Sequence, residues 1–591
     1  MLKRFFISML GTIAGFWISI VLFFFFSLFL IGSIAGSSDS AKIRKHSLLV
    51  LDLNGAVAER YQPQNLMQML EDNGSSAPSL AEMRAALRLA ADDSKIDALV
   101  LRCGGSAMGY ASREELLSEI REFKSKSGKP VYAYADNYFQ GDYMLASVAD
   151  SIYLNPMGAV DVHGLGSASL FFSRTLDKLG IKMQIVKVGT FKSAVEPFIQ
   201  DHMSEPARLQ MQQYCDSLWA FASSSIASGR NIPQDSVRAW ASQMMMTWPA
   251  TETVEKGLAD HLVYARNFDD FLRTVTDRDH DQTLLTMSPA EYLASSQVMQ
   301  DILASSKKHV AVYYAVGDIT DNEGNGIVGS TVVPDIISLA DDDNVAGLVL
   351  RVNSGGGSAF ASEQIWEALE YFKSKDKPFY VSMGDYAASG GYYISCGADK
   401  IYADATTLTG SIGVFGMIPD FSGLVTDKIG LVLDTVQTNA NALGITPFMP
   451  MNDFQKAAMQ NSVEQIYDTF TGRVAAGRHM DVDSVKSIAE GRVWVGSKAI
   501  QLGLVDKIGG LTETLADMCT ELDLETSAVR AYPNKEEEML VRMLRESGSL
   551  KSLAGQNPAK LDPQTAEYIS TIRQLRNMNP MQARAPQIIV Y

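Results

Sequence analysis

Two stretches almost two hundred residues apart carry the residue types of a nucleophile and its base. GDYAASGGYYIS, from Gly384 to Ser395, sets Ser389 between small residues and two glycines, and GTFKSAVEPF, from Gly189 to Phe198, holds Lys192. A serine hydroxyl attacks a carbonyl at neutral pH only when a base takes its proton during the attack. No histidine lies near Ser389 in the sequence, so a lysine amine is the candidate. That amine must be neutral to act, which means lowering its pKa from about 10.4 to near 7, about 4 kcal/mol against the ammonium form. Burial at an apolar domain junction can supply this, and Val186, Val188, Phe191, Ala194, Val195 and Phe198 surround Lys192 along the chain. Glu196 is the exception. A carboxylate beside the amine would raise its pKa, so Glu196 is expected to point away.

The two stretches are linked by an internal repeat. DALVLR ending at Arg102 returns as AGLVLR ending at Arg351, FKSKSGKPVYAYAD at Phe123 returns as FKSKDKPFYVSMGD at Phe372, and VADSIY at Val148 returns as GADKIY at Gly397, all 249 positions on. Trp248 and GLAD (Gly257 to Asp260) return as Trp494 and GLVD (Gly503 to Asp506). The copies differ where chemistry would sit. Ser389 faces Gln140 in the first copy, and Lys192 faces Ala442 in the second. Taken singly, Ser-Gly-Gly suits a helix entry and a loop lysine is usually solvated. The reciprocal loss favours one composite site, with Lys192 from the first copy and Ser389 from the second.

The elements that must position these residues follow from local pattern. LLVLDL (Leu48 to Leu53), DALVLR and PVYAYAD have strand length and composition, whereas SLAEMRAALRLAAD and REELLSEIREFKSK have helical spacing. Strand–helix alternation implies parallel strands with helical crossovers, an α/β class with loops for chemistry at the carboxyl ends of strands. NSGGGSAF (Asn353 to Phe360) follows such a strand, so backbone N–H groups of Gly356 and Gly357 can meet that of Gly390 around a developing oxyanion. The chain is divided into 1–46, an anchor and juxtamembrane segment; 47–275, the first repeat domain; 276–307, a linker whose helix starts near Ser288; 308–525, the second repeat domain; and 526–591, a polar tail expected to be peripheral.

An uncharged run from Phe5 to Gly36 could reach about 48 Å as helix, more than the roughly 30 Å hydrocarbon core, so one N-terminal transmembrane anchor is expected. Basic residues flank both sides (Lys3 and Arg4; Lys42, Arg44 and Lys45), so charge alone leaves orientation open. With 68 acidic against 51 basic residues, net −17, and no basic aromatic-laced patch, nucleic acid is excluded as a partner. Cys103, Cys215, Cys396 and Cys519 are scattered without metal spacing and are expected as buried small hydrophobes; no metal or other cofactor is expected. His163 is taken as structural, Met244 to Met246 as packing residues, and Trp248 with Trp494 as structural anchors.

LVLRVNSGGGSAFASE, MGDYAASGGYYIS, TLTGSIGVFG and TFKSAVEPF together resemble the long-form signal peptide peptidase A (protease IV) family. The resemblance covers roughly residues 1 to 525. It implies a tandem pair of ClpP/crotonase-like domains and a Ser-Lys dyad of Ser389 and Lys192. It also implies Ser411, of TGSIG, as the residue orienting the lysine, and oxyanion donors at Gly390 with Gly356 or Gly357. It further implies a homotetrameric bowl in the bacterial inner membrane, single-pass with catalytic domains on the periplasmic side. The substrates would be cleaved signal peptides and other short unfolded chains. The chain departs from the family where Gly355 replaces a proline, which loosens that loop. Two alternatives stay open: an acyl-CoA hydratase or isomerase of crotonase type, separable by CoA binding, and a non-catalytic membrane scaffold, separable by labelling of Ser389.

Overall fold

The computed structural model describes residues 43–61, 79–296, 307–533 and 581–585. The expected anchor, residues 5–36, lies outside the described residues; among those described, no helix is long and apolar enough to cross a membrane. Each copy is built on a largely parallel sheet. In the first copy the order is His261–Leu262, Ser151–Leu154, Val131–Ala135, Ile96–Ala107, Ser47–Ala56, Thr286–Met287, and every neighbouring pair is parallel. In the second, the spine runs Val493–Val495, Leu408–Gly410, Phe379–Ala388, Val345–Ser354, His309–Val316, Val529–Tyr532, with Lys400–Ala403 attached to Phe379–Ala388 and Lys507–Ile508 attached in turn to Lys400–Ala403. Central strands covered on both faces need unbroken apolar runs. Leu99, Val100 and Leu101, and Leu348, Val349 and Leu350, are accordingly inaccessible to solvent.

Both copies run past their expected ends. The stretch expected as a linker lays Thr286–Met287 beside Leu48 and Leu49. The helix Pro289–Ser295 then opens at Ser288 with a reciprocal Ser288–Glu291 cap. Its Tyr292 is buried, and the hydroxyl donates to Asp93 at 3.1 Å, so this segment belongs to the first domain. Val529–Tyr532 likewise completes the second sheet beside Val310 to Tyr313. The peripheral tail is corrected further at Met581–Arg584, which forms an interior strand. Short polar strands of this kind contribute backbone groups to a ladder, and neither apolar periodicity nor the repeat marks them.

That interior strand belongs to a third sheet, ordered Ile327–Val328, Ile319–Thr320, Gly356–Ser358, Met581–Arg584, Val414–Asp420, Lys182–Val188. Its last two strands come from different copies and pair antiparallel over seven positions, from Val414 opposite Val188 to Asp420 opposite Lys182. The helix Tyr110–Ser127 of the first copy also docks on the second. Ser112 donates its N–H (3.0 Å) and hydroxyl (2.7 Å) to Asp385, and Glu114 accepts from the Thr406 N–H (3.0 Å) and hydroxyl (2.7 Å).

At the centre of this junction is Arg351, with no exposed surface. Its Nε donates to Glu59 at 2.7 Å and its Nη1 to Glu115, which also pairs with Arg84. The repeat-equivalent Arg102 pairs instead with Asp269 at the surface, its side chain 37% exposed. Removing one partner from a buried ion cluster leaves uncompensated charge, whereas an exposed pair contributes little. Arg351→Met should therefore lower unfolding free energy by about 3–5 kcal/mol, and Arg102→Met by less than about 1 kcal/mol, in denaturant titrations of the two variants.

Candidate active site

The cross-copy strand pair decides where the lysine goes. Lys182–Val188 ends four residues before Lys192, and Val414–Asp420 starts three residues after Ser411. Antiparallel pairing of Val188 with Val414 therefore brings the two turns together. The lysine turn is wedged against the second copy: Phe191 donates its N–H to the Glu490 carbonyl at 2.9 Å. Gly491 lies so close that a Cβ there would come within 2.7 Å of the Lys192 Cβ. Gln210, buried on the helix Glu205–Arg230, clamps the same turn. Its Nε2 donates to the Phe191 carbonyl (3.1 Å) and to Ser193 Oγ (3.0 Å), and its Oε1 accepts the Val493 N–H (3.2 Å). Sequence reasoning missed Gln210, because a lone glutamine on a helix carries no signal of what it bridges.

Lys192, Ser389 and Ser411 are each fully buried. Lys192 Nζ lies 2.7 Å from Ser389 Oγ, 3.1 Å from Ser411 Oγ and 3.1 Å from the Ser411 carbonyl oxygen. Burial pushes the amine well below the ordinary lysine range, and no neighbouring charge among the described residues opposes it. Glu196 turns away, accepting the Ser204 N–H (3.1 Å) and hydroxyl (2.6 Å).

Ser389 closes the strand Phe379–Ala388 and precedes the single-turn helix Gly390–Tyr393. Its backbone sits at φ 56°, ψ −115°, which a side-chain-bearing residue adopts only under constraint. The constraint is visible: the Ser389 N–H donates to the Gly410 carbonyl and its own carbonyl accepts from Tyr393, both at 2.8 Å. One helical turn carries little dipole, so the local amides matter here more than the helix. Gly390 and Gly356 approach closely, since a Cβ on Gly356 would lie 2.6 Å from the Gly390 nitrogen. The Gly356 N–H donates to Ser354 Oγ at 3.1 Å, while Gly357 pairs with Ala583 of the tail strand. Space beside Gly355 is open, with nothing within 4 Å of a Cβ placed there.

The corresponding place in the first copy is filled. Gln140 Nε2 donates to Tyr110 Oη (3.0 Å) and the Gly164 carbonyl (3.1 Å), and Oε1 accepts from the N–H groups of His163 (3.0 Å) and Gly164 (2.9 Å). The His163 ring faces Asp161 at 3.1 Å. Ala442 lies on an exposed turn. All four cysteines are buried free thiols. Of the three methionines, Met245 is in the core while Met244 and Met246 are largely exposed. The Trp494 Nε1 donates to the Ile488 carbonyl at 3.1 Å.

A serine hydroxyl against a desolvated amine, with backbone amides at the ends of parallel strands, is the arrangement of a serine-type hydrolase. The chain belongs to peptidase family S49, whose model matches residues 123–275 and 371–525, one match in each copy. It is 37% identical over 512 residues to Protease 4 of Haemophilus influenzae, covering 84% of this chain and 83% of that one. It is 33% identical over 553 residues to Protease 4 of Salmonella typhi, covering 90% and 88%. The chloroplastic serine protease SPPA of Arabidopsis thaliana is 26% identical over 483 residues, covering 80% and 69%. The enzyme class is thus serine-type peptidase.

The buried amine also has a consequence for stability. The folded pKa lies below the unfolded value of about 10.4, so between the two the unfolded chain binds the additional proton and stability rises with pH. Lys192→Met lacks that rise. The stability of Lys192→Met relative to wild type should be greatest near neutral pH and shrink as pH climbs towards 10. Denaturant unfolding of both proteins across that range would check it; parallel pH profiles would contradict it.

Proposed function

We propose that this chain is a membrane-anchored serine endopeptidase in which Ser389 is the nucleophile and Lys192 the general base. The observation that carries the proposal is the 2.7 Å approach of a fully buried, charge-isolated lysine amine to a fully buried serine hydroxyl. A neutral amine has two hydrogens and one lone pair. With its hydrogens directed at the Ser411 carbonyl and hydroxyl, the lone pair faces Ser389 and accepts its proton as Oγ attacks the substrate carbonyl. The N–H groups of Gly390 and of Gly356 or Gly357 take the developing oxyanion. Lys192 returns the proton to the leaving amine, and a water, deprotonated by the same amine, hydrolyses the acyl-enzyme.

The substrates proposed are cleaved signal peptides and other short unfolded chains, bound as extended strands. Gly356–Ser358 and Val414–Asp420 flank the site at the spacing a single added strand fills, and backbone pairing tolerates varied sequence. The apolar run of residues 5–36 supports anchoring in the bacterial inner membrane, with the catalytic domains proposed on the periplasmic side. Exposed Leu431, Val432 and Val436 support assembly, proposed as a homotetramer.

Ser389→Ala and Lys192→Ala should each reduce peptide hydrolysis by a factor of at least about 10⁴, and the double variant should be no worse than either alone, since the two act as a unit. Wild-type kcat/KM should fall as pH drops through the lysine's lowered pKa, because protonation removes the lone pair. Retention of normal turnover by either folded single variant would refute the dyad.

A further inference from the structure

Gln210 ties the lysine turn to the segment that holds both serines. It is buried on the helix Glu205–Arg230, and a buried amide draws its partners from whatever packs against it. Its Nε2 donates to the Phe191 carbonyl and to Ser193 Oγ, the residues on either side of Lys192. Its Oε1 accepts from Val493, on an outer strand of the second sheet. Residues 490–493 in turn hold the serines. The Glu490 carbonyl accepts the Phe191 N–H at 2.9 Å, the Gly491 N–H donates to the Ile412 carbonyl at 2.8 Å, and the Arg492 carbonyl accepts the Ser411 N–H at 2.7 Å. Val493 lies opposite Gly410, whose carbonyl accepts the Ser389 N–H at 2.8 Å. Gln210 thus closes a loop of hydrogen bonds that runs through the neighbours of Lys192 and the backbone of both serines.

The repeat supplies an independent observation. The helix Asp453–Arg478 of the second copy has the same 26 residues as Glu205–Arg230, a side-chain cap before it (Asn452, as Ser204) and a left-handed residue after it (His479, as Asn231). This alignment sets Gln210 opposite Ala458, which is exposed. The first copy keeps both Lys192 and Gln210, and the second has Ala442 and Ala458 in their places. A residue that merely seated this helix has no reason to disappear together with the lysine.

We infer that Gln210 is a positioning residue for the general base: it locks the lysine turn against residues 490–493 and so holds the amine at its reach from Ser389 and out of water. The inference rests on the Ser389–Lys192 reading above. None of the hydrogen bonds of Gln210 goes to a reacting atom, so it acts through Phe191, Ser193 and Val493. An apolar side chain in its place leaves the Phe191 carbonyl and the Val493 N–H without partners, and buried polar groups in that state draw in water or move. Either change loosens the turn. A better-hydrated amine holds its proton more tightly, so the neutral form that accepts from Ser389 becomes scarcer at a given pH.

The test is kcat and KM for a chromogenic peptide, measured across the neutral to alkaline range on the full chain of wild type, Gln210→Met and Gln210→Ala. Both replacements favour helix, and Gln210→Ala, which leaves room for water beside the freed groups, serves if Gln210→Met does not fold. Each folded variant should lose at least about tenfold in kcat near neutral pH with KM within about twofold of wild type. The acid limb of kcat should also move to higher pH, by about one unit. The charged neighbours of the turn are unaltered in these variants: Glu196 is bound to Ser204, Arg492 to Gln213, and Glu490 is exposed. A moved limb therefore reads the placement of the amine. Wild-type kcat in a folded variant would overturn the inference, and so would a lower kcat with an unmoved acid limb, the mark of a merely structural glutamine. Normal hydrolysis by Lys192→Ala would instead bring down the dyad reading, an outcome that no result at position 210 can imitate.

Discussion

A lysine amine without a carboxylate partner must be held in a dry place, and most of the junction between the two copies serves that requirement. Charge burial is costly unless paired or relieved by losing the proton. Lys192 has hydroxyls and a carbonyl for company, Glu196 is occupied by Ser204, and Gly491 presses against the lysine stem. Neither copy could seal this seam alone. The turn comes from one and its walls from the other, so the acid–base property of one atom depends on the packing of two domains.

That packing uses different physics at different radii. Nearest the amine it is close contact and neutral hydrogen bonds, which leave the proton affinity low. Further out it is ionic, through Arg351 with Glu59 and Glu115, and through the carboxylates of Glu114 and Asp385 capping backbone N–H groups and hydroxyls across the boundary. Placing the charges away from the amine lets the interface be strongly held without raising the lysine's affinity for a proton.

Much of this was legible in the sequence, by comparing the chain with itself. The repeat indicated two α/β units, and the exchange of Ser389 for Gln140 and of Lys192 for Ala442 pointed at a composite site; Ser288 announced its helix. What stayed hidden was set by tertiary pairing. Arg102 and Arg351 occupy one repeat position in nearly identical strands, yet one meets Asp269 at the surface and the other two buried carboxylates. Gln210 acts through residues far away in the chain. The strand Met581–Arg584 has neither apolar alternation nor a repeat partner, and its structure comes from the glycine loop that receives it.

The seven-position ladder between Lys182–Val188 and Val414–Asp420 carries one more implication. Strand pairing is discrete: a slip of one residue reverses which face each side chain occupies, and no half-step exists. The reach of the amine towards the serine is thus indexed like a gear tooth, advancing by whole notches or not at all. Small deformations of either domain leave the mesh unchanged.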